Sequence, residues 1–331
     1  MSFFKAIVLL QFWLPIHQSL NVSEMESLLH FDPQGKKQIE SRAQAKIRMC
    51  WTCQSCVTEC PVNIATSRLN PLKIVRMANF GLIDELLSEP SIWYCQSCNR
   101  CRDVCPMSVD PAALITWVRQ ETLIRKLISY ETFRRFDGLF RRFQRVRWYA
   151  AWCCLKNQKL SLSKTKWEEL LRTQVKPTNE KILLGFSSRL NSSLEEVVKE
   201  AETRSCFTCS TCSGACPVFY ERSVFDPQWV FRMANFGLSE ELLMSPMIWL
   251  CIGCQRCTES CPQLVKGHLI VNKLQALSIK KGSVPASFPA KLKEADKEIY
   301  PYLLDEIDEL FGFSAAGNGS RSCDFLLSKK N

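Results

Sequence analysis

Apolar side chains return at Leu72, Val75, Ala78 and Leu82, the spacing of one helix face, and Gly81 stands where a helix end takes a left-handed residue. A second short helix is expected over Ile83 to Ser88, stopped by Pro90. The same succession comes back over Gln228 to Leu238 and over Ser239 to Met244, with Ser239 as the expected N-cap and Pro246 as the stop. Further on, Leu114, Trp117, Val118, Ile124 and Leu127 make the apolar stripe of a longer helix. Its counterpart begins near Leu269 and ends at Gly282. Strand-like alternation is scarce, so the expected fold class is all-α.

The recurrence is a duplication. With an offset of 156 residues, 29 of the 61 positions from 45 to 105 match without a gap. The heptapeptide Arg76-Met77-Ala78-Asn79-Phe80-Gly81-Leu82 recurs as Arg232 to Leu238, and Ile92-Trp93 as Ile248-Trp249. The repeated Trp93/Trp249 and Met77/Met233 are expected to pack in the interior.

The chemistry lies in the cysteines. Sixteen of the 19 fall in four runs spaced CxxCxxCxxxCP: Cys50, Cys53, Cys56, Cys60; Cys95, Cys98, Cys101, Cys105; Cys206, Cys209, Cys212, Cys216; Cys251, Cys254, Cys257, Cys261. Disulfides between residues three apart are cramped, and thiolates so crowded need a cation to share their charge, which argues against an extracellular disulfide scaffold and for a reducing compartment. Four-cysteine zinc sites use two CxxC pairs, whereas a triplet with a displaced Cys-Pro is the two-cluster ferredoxin arrangement. It implies four [4Fe–4S] clusters: Cys50, Cys53, Cys56 with Cys105; Cys95, Cys98, Cys101 with Cys60; Cys206, Cys209, Cys212 with Cys261; and Cys251, Cys254, Cys257 with Cys216. With every iron ligated no catalytic residue is expected, and the role is electron transfer. His17, His30 and His268 share no ligand spacing.

Five segments are expected: 1–24, an apolar extension that is either disordered or ahead of a native start at Met25; 25–125, the first dicluster module; 126–200, a basic aromatic helical linker; 201–285, the second module; 286–331, a C-terminal helix and disordered tail. The extension's apolar run, Ala6 to Ile16, is too short to span a membrane. Of the net charge of +10, the stretch from Arg125 to Arg147 carries eight basic residues against Glu131 and Asp137. Interleaved with Phe133, Phe136, Phe140, Phe143 and Trp148, they suit a helix that braces the modules or docks a partner, or one that makes peripheral membrane contact through residues 125–153. Nucleic acid is not an expected partner. Cys153 and Cys154 are expected to be buried, the helix from Ala290 to Leu310 to break at Pro301, and residues from Ser314 onward, with Cys323, to be disordered.

The two CxxCxxCxxxCP runs separated by Lys73-Ile74-Val75-Arg76-Met77-Ala78, together with Ile248-Trp249-Leu250-Cys251, resemble the C subunit of heterodisulfide reductase, over residues 45 to 125 and 201 to 282. The resemblance implies two tandem α-helical ferredoxin modules and an electron-transfer subunit of a cytoplasmic redox complex, beside a flavoprotein and a catalytic subunit bearing CCG motifs. Similar domains occur in glycolate oxidase and succinate dehydrogenase iron–sulfur subunits, so an organic-acid oxidoreductase subunit and a stand-alone multi-cluster ferredoxin stay open. That family's subunit has one module where this chain has two, and Cys153-Cys154 lacks the CCG spacing, so disulfide reduction is not assigned to it.

Overall fold

The computed structural model describes residues 31–172 and 192–313; the expected extension at 1–24, His17, His30 and the tail with Cys323 lie outside them. Among the described residues there is no strand. The longer helices are α1 (Pro33–Ala43), α2 (Pro71–Asn79), α3 (Pro111–Ile124), α4 (Tyr130–Leu155), α5 (Lys164–Arg172), α6 (Ser192–Glu200), α7 (Pro227–Asn235), α8 (Gly267–Lys280) and α9 (Phe288–Phe311). Short helical turns between them carry the cysteines.

A recurring local device starts these helices. Asp32, Asn70, Asp110 and Asp226 each cap the helix that follows, their side chains accepting from Gln34, Lys73, Ala113 and Gln228 backbone N–H, and each is followed by a proline at the first helical position. The proline loses nothing there because its missing N–H has no intrahelical partner. Gly81 and Gly237 both follow their helices at φ +77°, and a Cβ on Gly81 would lie 1.9 Å from the Asp32 carbonyl. The short helix after the second of them begins at Ser239, but its cap position is Leu238, one residue before the cap expected.

Each module packs its own core, with Trp93 buried in one and Trp249 in the other. Of the stripe expected on α3, Leu114, Trp117 and Val118 are buried, but Ile124 is 71% exposed, since it falls on the last turn beyond the core.

Helices α4 and α9 tie the modules together. On α4 the face of Phe136, Leu139, Phe143, Val146 and Ala150 is buried, with Cys153 at its end. Phe136 meets Trp93 edge-on at 5.4 Å, Phe143 meets Trp167 and Tyr300, and Arg145 is buried against Glu221. Phe136 and Phe143 of the aromatic face are therefore occupied by protein, while Phe133, Phe140 and Trp148 are only half-buried, and the helix contacts both modules. No helix among the described residues is long and apolar enough to cross a membrane.

The α9 helix runs through Pro301 without the expected break. Ile299, Tyr300, Leu303, Leu304 and Ile307 are all buried on both sides of the proline, and that packing outweighs one lost hydrogen bond. Its first turn sets Phe288 against Trp249 and its last stacks Phe311 on Trp93 at 4.5 Å. Its acidic residues face module one: Asp305 and Asp308 pair with Arg68, Tyr94 donates to Asp308, and Glu306 accepts from Trp167.

Candidate metal centre

The first three cysteines of every run sit on a tight turn with two left-handed residues: Thr52 and Gln54, Ser97 and Asn99, Thr208 and Ser210, Gly253 and Gln255. Seven of these eight are not glycine, and a side chain there costs roughly 1–2 kcal/mol. Such a turn curls backbone N–H groups toward the sulfurs. Ser97 N–H lies 3.4 Å from Cys95 Sγ and Gly253 N–H 3.4 Å from Cys251 Sγ. The fourth cysteine of the first run, Cys60, is the cap of helix Pro61–Thr66, so the following proline starts a helix and turns the thiol away from its own triplet.

The structure places Cys50, Cys53, Cys56 and Cys105 around one small cavity, Cys60, Cys95, Cys98 and Cys101 around a second, and Cys206, Cys209, Cys212 and Cys261 around a third. Cys216 lies where the charges of Cys251, Cys254 and Cys257 act on it. In each set the displaced cysteine comes from the other run of its module. No three Cys, His, Asp or Glu side chains among the described residues are grouped as ligands of a single ion. His268 joins no set and bonds through Nδ1 to the Thr258 hydroxyl at 2.8 Å.

Burial and the neighbouring thiols push most of these groups toward their neutral form. Cys56 is raised to about 11 and Cys60 to about 12 in the first module; Cys212 and Cys251 rise to about 11 and Cys257 to about 12 in the second. Sets of this kind bind as thiolates only around a centre that supplies positive charge, and four thiols without other donors fit a [4Fe–4S] cubane. The exposed Cys53 and Cys209 behave in the opposite way: the hydroxyls of Ser55 and Thr211, 3.4 and 3.2 Å from the sulfurs, hold them below the usual thiol range.

The outer and inner sets differ in their neighbours. Where the outer runs have Ser55 and Thr211, the inner runs have Arg100 and Arg256. Half-buried Arg119 donates to the carbonyls of Ile92 and Cys95 at 2.8 and 2.7 Å and lies over the Trp93 ring. Its repeat counterpart, Gln275, keeps one of these bonds, to Ile248. Arg147 of α4 donates to the Leu250 carbonyl next to Cys251. Sequence reading found the thiols but none of these groups. The signal was available in the repeat alignment, as hydroxyl against arginine two residues after the second cysteine.

A second difference concerns packing. A Cβ on Gly267 would lie 2.7 Å from Cys257 Sγ and 2.6 Å from Phe231, whereas the counterpart positions hold Pro111 and Val75. The large residue on α7 and the missing side chain at the start of α8 compensate each other.

Comparison with known proteins agrees with this chemistry. Two family models, each described as a 4Fe–4S dicluster domain, match residues 49–110 and 202–265. The chain is 41% identical over 61 residues to the C subunit of the H(2):CoB-CoM heterodisulfide,ferredoxin reductase of Methanothermobacter thermautotrophicus, covering 18% of this chain and 32% of that protein. It is 34% identical over 100 residues to the iron–sulfur C subunit of the CoB--CoM heterodisulfide reductase of Methanopyrus kandleri, covering 29% and 52%. It is 36% identical over 84 residues to the C2 subunit of the H(2)/formate:CoB-CoM heterodisulfide,ferredoxin reductase of Methanococcus maripaludis, covering 25% and 45%. The chain thus spans about a third to a half of the length of these relatives. With two 4Fe–4S dicluster domains in tandem, it is an iron–sulfur protein like the C subunit of heterodisulfide reductase.

Proposed function

We propose that the chain is an electron-transfer subunit holding four [4Fe–4S] clusters within a heterodisulfide-reductase-like redox complex, in a reducing compartment. The observation that supports this best is the sorting of sixteen cysteines into four sets, each drawing its fourth thiol from the other run of its module. Cys50, Cys53, Cys56 and Cys105 would hold one cluster, Cys95, Cys98, Cys101 and Cys60 the next, and the second module would repeat this with Cys251, Cys254, Cys257, Cys216 and with Cys206, Cys209, Cys212, Cys261. Each cluster, when bound, supplies a one-electron redox centre whose potential follows its charge surroundings, hydrogen bonds and exposure.

The protein's part is to ligate, shield and tune. Trp93 and Trp249 wall the modules against water, the turn amides and the Ser55 and Thr211 hydroxyls face sulfur, and the arginines supply positive charge around the inner sets. A flavoprotein and a CCG-bearing catalytic subunit are the partners this role needs. Iron and acid-labile sulfide on anaerobically purified protein test the reading: about sixteen irons per chain are expected, and zinc in place of iron overturns it.

A further inference from the structure

The two modules meet through equivalent segments. Residues 98–103 of the first and 254–259 of the second occupy the same repeat positions, and they face each other. Asn99 Nδ2 donates to the Cys254 carbonyl at 3.2 Å, Gln255 Nε2 to Asp103 Oδ2 at 3.5 Å, and Arg102 faces Glu259 at 3.5 Å. Asn99 and Gln255 are counterparts in the repeat, as are Asp103 and Glu259. One short turn therefore meets its own copy, as the two halves of an isologous dimer do. Asn99 is buried there in the left-handed conformation, at φ +60°.

The cysteines follow the same symmetry. Cys98 packs against the apolar core of the second module. Its counterpart Cys254 carries the carbonyl that Asn99, the residue after Cys98, donates to. Among the described cysteines the exposed ones are Cys53 and Cys209, each preceded two residues earlier by an exposed aromatic, Trp51 at 70% and Phe207 at 56%.

Building on the four-cluster reading, we infer that the thiol sets form one line in the order outer, inner, inner, outer, with the inner sets adjoining where Asn99 bonds to Cys254. The modules are then one relay crossing at this interface, with Cys53 and Cys209 at its ends. The alternative is two separate relays whose inner sets are insulated from each other.

The test uses the full chain with one pair of sets removed at a time. Replacing Cys50, Cys53, Cys206 and Cys209 by alanine leaves the inner sets, and replacing Cys95, Cys98, Cys251 and Cys254 leaves the outer ones. With about eight irons retained in each variant, electron paramagnetic resonance of the reduced protein should show a broadened, spin-coupled signal from the first and two narrow signals from the second. Narrow signals from both overturn the line while leaving four clusters standing; wild-type protein without iron overturns the underlying reading instead. A second measurement needs no cluster removal. In an Arg102→Lys variant, a zero-length carbodiimide should form an amide between position 102 and Glu259, located by peptide mass mapping, and its absence under conditions that cross-link other close pairs overturns the interface.

Discussion

Gly267 tests how closely the second module is packed around its inner thiols. In Gly267→Ala the new methyl would arrive 2.6 Å from the Phe231 ring and 2.7 Å from Cys257 Sγ, about 1 Å short of an ordinary contact to each. Phe231 is 2% exposed and has little room to retreat. Overpacking of this kind costs about 1–3 kcal/mol, against a gain of less than about 1 kcal/mol for removing a glycine at a helix start. The net loss is about 1–2 kcal/mol, a fall of about 4–16 °C in Tm for a module of this size. The displaced Cys257 thiolate should also release its cluster, lowering iron by about four atoms per chain. Phe231→Val alone leaves a cavity costing about 2–3 kcal/mol. The double variant recreates the Val75/Pro111 economy of space, so its cost should fall short of the sum by at least about 1 kcal/mol. Thermal unfolding and iron analysis on all three variants decide the matter. Full iron with stability within about 0.5 kcal/mol of wild type in Gly267→Ala, or strict additivity in the double variant, refutes the packing argument.

Arg119→Gln copies Gln275, so the bond to Ile92 should survive while the positive charge and the Cys95 carbonyl bond are lost; a redox titration followed by electron paramagnetic resonance should show one cluster moving to lower potential, and an unchanged titration counts against a tuning role. Ser55→Ala and Thr211→Val remove the hydroxyls beside the exposed sulfurs and should lower the potentials of the outer clusters while leaving the inner ones in place. Arg68→Ala takes the guanidinium from Asp308, whose side chain is 14% exposed and keeps the Tyr94 hydroxyl, and should cost about 1–2 kcal/mol, seen as faster tryptic cleavage at Lys293 and Lys297 of α9. Unaltered cleavage would mean that Trp93 and Phe311 hold the helix without the ion pair.

Helix content, the duplication and the cysteine runs were legible because each is written in the sequence itself: period-3.6 stripes, a fixed offset, CxxC spacing. Pro301 misled because a local breaker was weighed without the buried side chains on both sides of it. The aromatic positions of α4 suit bracing as well as a lipid surface, and the fold sets Phe136 and Phe143 of them against Trp93, Trp167 and Tyr300. Arg119 and Arg147 escaped the sequence for another reason. Arg119 acts across 24 residues and Arg147 across 103, distances at which only the fold brings a guanidinium to a carbonyl.

The self-meeting turn at Asn99 and Gln255 has a consequence for direction. A relay that reads the same from either end is a palindrome, and connectivity alone gives it no preferred sense of flow. Any rectification must come from positions where the copies have diverged. Arg119 opposite Gln275 and Ser97 opposite Gly253 lie beside the inner thiols, and a bias between the halves can be written or erased by exchanging them.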